Sequence, residues 1–244
     1  MNEALTPLYT FIVTKMPYIT ITLTLLGFAL MIQRWLSAPK GPEGPPLNLG
    51  AAAKYFFLDL VLFRKTWKTD KPTWLLVALF HWSAYGIIFG HLRGFGWWSI
   101  GLFEPLGHAF AEFMVETLPV YVGWVFLITT AMLLVRRILY EKSKLKSLPN
   151  DYIALVLLLI KGILGQGMRI LPVEAYLTEP LSITFIPGLV VLWLEKLPAQ
   201  DWFYWHVLFT QLFIIYIPYS KMIHIITSVV TSALYGSRRN EYGI

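Results

Sequence analysis

The sequence contains no cysteine. That absence excludes disulfides, thiolate zinc sites, cysteine-held iron–sulfur clusters, thioether-attached haem and cysteine nucleophiles together. Any redox chemistry in this chain therefore rests on cofactors held by histidine. Charge is scarce as well: 14% of the 244 residues are charged against 57% hydrophobic. A mean hydropathy of +0.60 lies beyond what a soluble core explains, so the bilayer is the solvent to assume. Internal repeats and low-complexity tracts are lacking, and one domain is expected over residues 1–244. No cleavable signal peptide is expected either. The first apolar run follows a single lysine, lacks a small-residue cleavage site and is long enough to span.

What is present fits a membrane. Aromatic residues make up 16% of the chain, and Trp and Tyr gather at the ends of apolar runs, where one end of the ring is wet. The formal charge of +6 comes from cations beside apolar segments, where they set topology; nucleic acid is not an expected partner. A span needs about 20 apolar residues at 1.5 Å each. Five segments qualify: 17–36, 73–91, 118–140, 151–171 and 201–234. The expected fold is an all-α integral membrane bundle of five transmembrane helices. Residues 181–194, with Pro187 and Gly188, read as an outer-surface re-entrant or interfacial piece. After the prolines at 39, 42, 45 and 46, residues 49–67 alternate apolar and basic side chains at helical spacing, which predicts a helix on the membrane surface.

Cations orient the bundle. Arg34, Lys40, Lys54, Arg64, Lys65, Lys68 and Lys71 flank one connection, and Arg136, Arg137, Lys142, Lys144 and Lys146 flank another. Both are expected in the cytoplasm. The connection from Leu92 to Thr117 carries Arg93 with Glu104, Glu112 and Glu116, and the tail carries Arg238 and Arg239. The N-terminus is then outside and the C-terminus inside, in a prokaryotic cytoplasmic membrane.

Four of the five histidines fall in two spans: His81 and His91 in the second, His206 and His224 in the fifth. A polar ring inside a membrane is expensive unless paired or bound, and imidazole is a natural axial ligand of haem iron. The two spans are antiparallel, which pairs His81 with His224 towards the cytoplasm and His91 with His206 towards the outer face. Two haems b are thus expected, with these histidines as iron ligands. The rises do not match: 18 residues of helix are about 27 Å, and 10 residues about 15 Å. Pro218 can kink the fifth helix. Gly86 and Gly90 either let a flat macrocycle approach or serve ordinary small-residue helix packing.

At these residues the sequence resembles the respiratory nitrate reductase gamma superfamily of dihaem b-type cytochromes. That superfamily includes the related cytochromes of heterodisulfide reductase and of the dissimilatory sulfite reductase-linked membrane complex. The resemblance is carried by Leu79-Phe80-His81, by Gly86-Ile87-Ile88-Phe89-Gly90-His91, by His206, and by Pro218-Tyr219-Ser220-Lys221-Met222-Ile223-His224. Arg136-Arg137 and the run from Leu157 to Gly162 also fit the pattern. The resemblance implies an N-out bundle moving electrons between membrane quinol at the outer side and a cytoplasmic iron–sulfur partner, with further complex subunits. This chain has no lysine between Leu92 and Thr117, where nitrate reductase members carry one associated with quinol binding. Its long, proline-containing, basic connection before Thr73 looks more like the heterodisulfide reductase and sulfite reductase-linked branch, with a cluster-bearing partner in sulfur metabolism. A nitrate reductase gamma subunit is the alternative.

Other polar residues have two readings each. Lys161, near the middle of the fourth span, either meets a haem propionate or snorkels to a crevice. Arg136 and Arg137 either meet the inner propionates or only set topology. His91, Arg93, Glu112, Gln166 and Arg169 lie near the outer end and are quinone-site candidates, against a plain interfacial role. His108 has no partner in the pattern. A transporter relaying protons through histidines is the distant rival; it favours inverted repeats and mid-membrane carboxylates, and neither is found. A purely structural anchor would need no four histidines.

Overall fold

The computed structural model describes residues 3–39, 47–95, 97–140, 147–170, 182–186, 189–193 and 201–238, with backbone alone at 94–95 and in the two strands. Lys40, Lys142, Lys144, Lys146, Pro187, Gly188 and Arg239 lie outside the described residues. Helix α1 (Thr6–Thr14) precedes α2 (Met16–Leu36), and Pro17 at the start of α2 follows from proline's tolerance in a first helical turn. Next come α3 (Leu49–Phe56), a π turn (Phe57–Val61), α4 (Arg64–Thr69) and α5 (Lys71–His91). Asp70 caps α5: its carboxylate accepts the Thr73 amide at 3.1 Å and the Thr73 hydroxyl. Those donors, with Arg136 close by, hold the Asp70 carboxyl below the usual carboxylate range.

Two short helices, α6 (Ile100–Phe103) and α7 (His108–Glu112), lead through a π turn (Phe113–Thr117) into α8 (Leu118–Leu139), and α9 covers Pro149–Ile170. Strands β1 (Ser182–Ile186) and β2 (Leu189–Trp193) then pair antiparallel, Ser182 opposite Trp193 and Ile186 opposite Leu189. This hairpin, an addition to the helical bundle, occupies the stretch read from sequence as an interfacial piece. The chain ends in α10 (Asp201–Tyr216) and α11 (His224–Arg238).

Among the described residues, four helices are long and apolar enough to cross a membrane, and a bent pair brings the number to five. The protein is a multi-pass membrane protein. Large apolar side chains on the outward faces, such as Leu25, Ile88, Ile128 and Val135, are half exposed or more, which suits lipid and not water.

Three expectations need correction. The fifth span is not one kinked helix over 201–234: Asp201–Tyr219 and Lys221–Arg238 meet at 88°. Pro218 removes a helical N–H donor, Ser220 is extended (φ −137°, ψ 177°), and its hydroxyl accepts the Met222 amide at 3.2 Å, starting a new turn. Helix α2 holds the break, because Tyr219 Oη donates to the Leu23 carbonyl at 2.7 Å and Gly27 gives Pro218 and Tyr219 room that a Cβ would fill. The third span begins before Leu118, since the π turn continues the helix from His108 into a 32-residue unit. The surface helix over 49–67 is broken at Phe63, which takes the left-handed conformation.

Around the bundle, α5 packs on α8, α8 on α9, α9 on α10, and α10 on α1 and α2, while α3 lies along α11. One core cluster joins four of these helices, with Phe126, Leu158 and Phe213 buried against Phe80, Ala84, Ile87 and Ile217. A second ties α1 to α10 through Tyr9 stacked on Tyr204 at 4.1 Å. Buried Gln211 secures that side, accepting from Thr20 Oγ1 at 3.0 Å and donating to the Ile12 carbonyl at 2.9 Å.

Candidate functional site

Helix α5 faces α10 and the start of α11 across two pairs of imidazoles. The His81 and His224 ring centres are 6.3 Å apart with planes at 70°, and those of His91 and His206 are 6.2 Å apart with planes at 14°. The mismatch of rises disappears at the break. From His206 to the end of α10 at Tyr216 is 10 residues, the same as from His81 to His91, or about 15 Å on each helix. Two 3-10 turns, Ile217–Tyr219 and Lys221–Ile223, take up the remaining residues and turn the chain so that His224 opens α11 beside His81.

All four rings are oriented the same way chemically. Nδ1 approaches a backbone carbonyl in each: Val77 for His81 (2.7 Å), Ile87 for His91 (2.7 Å), Lys161 for His206 (2.9 Å) and Lys221 for His224 (2.8 Å). A carbonyl accepts only from a protonated nitrogen, so Nδ1 carries the hydrogen and Nε2 keeps the lone pair that a metal needs. A metal–imidazole bond is about 2 Å and the ring centre lies about 1 Å beyond the nitrogen, so two imidazoles sharing one metal have centres about 6 Å apart. Both observed separations fit that span. Among the described residues no three His, Cys, Asp or Glu side chains gather to hold a bare ion. Two nitrogens per site suit an iron whose other four ligands come from a macrocycle.

Neighbours of the rings were partly legible. Gly86 lies against Val122 of α8, whose Cγ1 would be 3.0 Å from a Cβ, so it serves helix packing; a Cβ at Gly90 would meet nothing within 4 Å. Sequence reasoning missed Gly165. A Cβ there would lie 3.0 Å from His206 Cε1 and 3.2 Å from its Nδ1. The Lys161 carbonyl is one helical turn before Gly165, and the missing side chain at 165 lets the imidazole reach it without crowding. The available signal was a glycine at that turn from an intramembrane lysine. Lys161 itself sets its ammonium 4.0 Å from the Phe213 ring centre.

The remaining candidates divide. Arg93 pairs with Glu116 at 2.9 Å, and Arg169 reaches the same carboxylate at 3.6 Å. Glu116, not singled out from sequence, therefore joins two of the five quinone-site candidates. Gln166 is buried in the α8–α9 seam, donating to the Val120 carbonyl at 3.0 Å. Glu112 joins His108, which also contacts Glu104, in an exposed ladder. Arg136 meets Asp70 at 3.4 Å and covers the Tyr140 ring. Arg137 meets Ser147 Oγ at 2.9 Å and Asp151 at 3.2 Å. That Asp151 carboxylate is 8% exposed and also takes Lys221 at 2.9 Å, so it anchors the residue whose carbonyl orients His224.

The family model described as "Nitrate reductase gamma subunit" matches residues 73–238, which include all four histidines. A protein of Archaeoglobus fulgidus named Hdr-like menaquinol oxidoreductase cytochrome b-like subunit is 29% identical over 181 residues, 70% of this chain and 54% of that protein. Its namesake from Archaeoglobus profundus is 31% identical over 159 residues, 62% of this chain and 46% of that protein. The chain spans about half the length of these curated relatives. The likeness supports the heterodisulfide reductase-like branch.

Proposed function

We propose, because this chain belongs to the nitrate reductase gamma subunit family, that it is the dihaem cytochrome b subunit of a membrane oxidoreductase and exchanges electrons between the quinone pool and a cytoplasmic iron–sulfur partner. His81 with His224 and His91 with His206 would each hold one haem iron. The observation that carries the reading is the two pairs of opposed imidazoles at 6.3 and 6.2 Å, each ring with Nδ1 tied to a carbonyl. Bound there, haem b would supply reversible one-electron chemistry, with two imidazole nitrogens from this chain holding each iron for electron transfer.

The chain's own residues do the rest. Carbonyls of Val77, Ile87, Lys161 and Lys221 fix the tautomers and raise the basicity of the ligating nitrogens. Buried Phe126, Leu158 and Phe213, with Phe80 packed against them, give α5, α8, α9 and α10 a shared apolar core beside the histidines. Lys161, inside the α9 span and beside Phe213, is the cation for a propionate. At the His91–His206 end, Arg93 and Arg169 offer N–H donors to a quinone oxygen, and Glu116 between them takes the proton a quinol hydroxyl releases. The basic connections favour an N-terminus outside, which puts quinol chemistry at the outer face and the partner beside the His81–His224 end.

Both relatives are named menaquinol oxidoreductase subunits, which favours menaquinol and a heterodisulfide reductase-type partner over a nitrate reductase. The test is reduction of the membrane-bound protein by a menaquinol analogue, followed in the visible spectrum. H91A and H206A should each abolish rapid reduction. Unchanged rates in both would contradict the proposal.

A further inference from the structure

Among the described residues, Phe63 is the one non-glycine with positive φ, at φ 51° and ψ 41°. In that region the β-carbon crowds the following carbonyl, so neighbours must hold a bulky residue there. Two indoles of α5 do so. Trp82 Nε1 donates to the Val61 carbonyl at 2.9 Å and Trp74 Nε1 to the Leu62 carbonyl at 2.8 Å. These bonds occupy the carbonyls released where the π turn Phe57–Val61 ends. The reversal puts the Phe63 ring against His81, ring centres 4.8 Å apart at 40°. Phe80 closes another side edge-on at 5.0 Å, and Tyr85 lies at 6.3 Å.

We propose that Phe63, clamped by Trp74 and Trp82, is a positioning residue for His81, fixing the rotation of its ring and keeping water from one side of it. The proposal rests on reading His81 and His224 as haem ligands and adds what sets the properties of that pair. The Nδ1 bond to Val77 fixes one edge of the His81 ring; Phe63 and Phe80 together stop it from swivelling, which maintains the 70° to His224. A dry aromatic wall also disfavours the oxidised iron, whose extra positive charge water would stabilise, and so raises the reduction potential of this site. His224 is exposed and His81 is not, so of the two rings it is His81 that the aromatic wall encloses.

The experiment uses the full-length, haem-loaded protein and compares F63G and F63L with wild type. Glycine adopts the left-handed conformation without strain, so F63G removes the ring and keeps the turn. Expected are two haems per chain, one midpoint potential shifted to a more negative value, and a changed largest g-value in the low-spin signal of the 70° pair. The other pair's signal should not move. F63L keeps an apolar wall and should shift less, and the double variant W74F/W82F should shift in the same direction as F63G. Wild-type midpoints and g-values in F63G with both haems bound would overturn the proposal. If F63G loses the haem of the His81–His224 pair, F63L decides, and wild-type values there overturn it. Wild-type protein without haem would overturn the dihaem reading itself.

Discussion

Gly165→Ala isolates one ligand without touching it. A Cβ at residue 165 would stand 3.0 Å from His206 Cε1 and 3.2 Å from Nδ1, against ordinary contacts of about 3.6 Å. The ring must give by a few tenths of an ångström, about 0.4 Å at Nδ1 against an ordinary contact of about 3.6 Å, and Nδ1 is the atom that meets the Lys161 carbonyl at 2.9 Å. That lengthens and weakens the hydrogen bond. Loss of a ligand's outer hydrogen bond lowers metal affinity by about 10- to 100-fold, or about 1.4 to 2.8 kcal/mol. The assay is haem titration of the apoprotein with low-spin EPR of the product. The affinity loss should fall on the pair with parallel planes, His91 with His206, and leave the His81–His224 signal intact. Gly162→Ala is the control, because its Cβ would meet Leu127 and Phe126 and no ligand. Wild-type affinity at both sites in G165A, or an equal loss in G162A, would refute the reasoning.

Other substitutions read other links of the chain. Replacing Asp151 with Asn weakens the anchor shared by Lys221 and Arg137; with both cations partly exposed, the loss should be about 1–2 kcal/mol, seen as a lower Tm with first release of haem from the His224 side. Gln211→Leu strips buried partners from Thr20 and the Ile12 carbonyl. A cost of about 1–3 kcal/mol is expected, measured as faster proteolysis of the α1–α2 segment, and wild-type resistance would show that apolar packing alone holds it. Glu116→Gln keeps a hydrogen-bonding group between Arg93 and Arg169 but cannot take a proton. Quinol oxidation should fall about 10-fold or more in kcat/KM with the haem spectrum unchanged, whereas unchanged kinetics would remove Glu116 from the quinone site.

The spans were legible because bilayer burial writes long apolar runs, and the four histidines stood out because intramembrane imidazole is rare. Their partners followed from antiparallel topology, a property of order along the chain. The attitude of His224 was not legible. It depends on the break at Ser220, which Pro218 permits but Tyr219 bonding to Leu23 and the fit at Gly27 enforce, across nearly 200 residues of sequence. Gly165 was hidden for a similar reason: a glycine in an apolar helix looks the same whether it faces lipid, a helix or a ligand ring. Glu116 was hidden by the π turn, which rotates it towards Arg93 and Arg169 in a way no regular helical wheel shows. Phe63 was misread as mid-helix because hydropathy carries no sign of φ.

The central claim is that two opposed imidazole pairs hold two haems in different geometries. Pyridine haemochrome quantitation together with low-spin EPR of the oxidised protein tests it most directly. Two b-type haems per chain are predicted, one with the strongly anisotropic signal of crossed imidazole planes (70° at His81–His224) and one with the rhombic signal of near-parallel planes (14° at His91–His206). A well-folded protein that binds no haem would contradict the account.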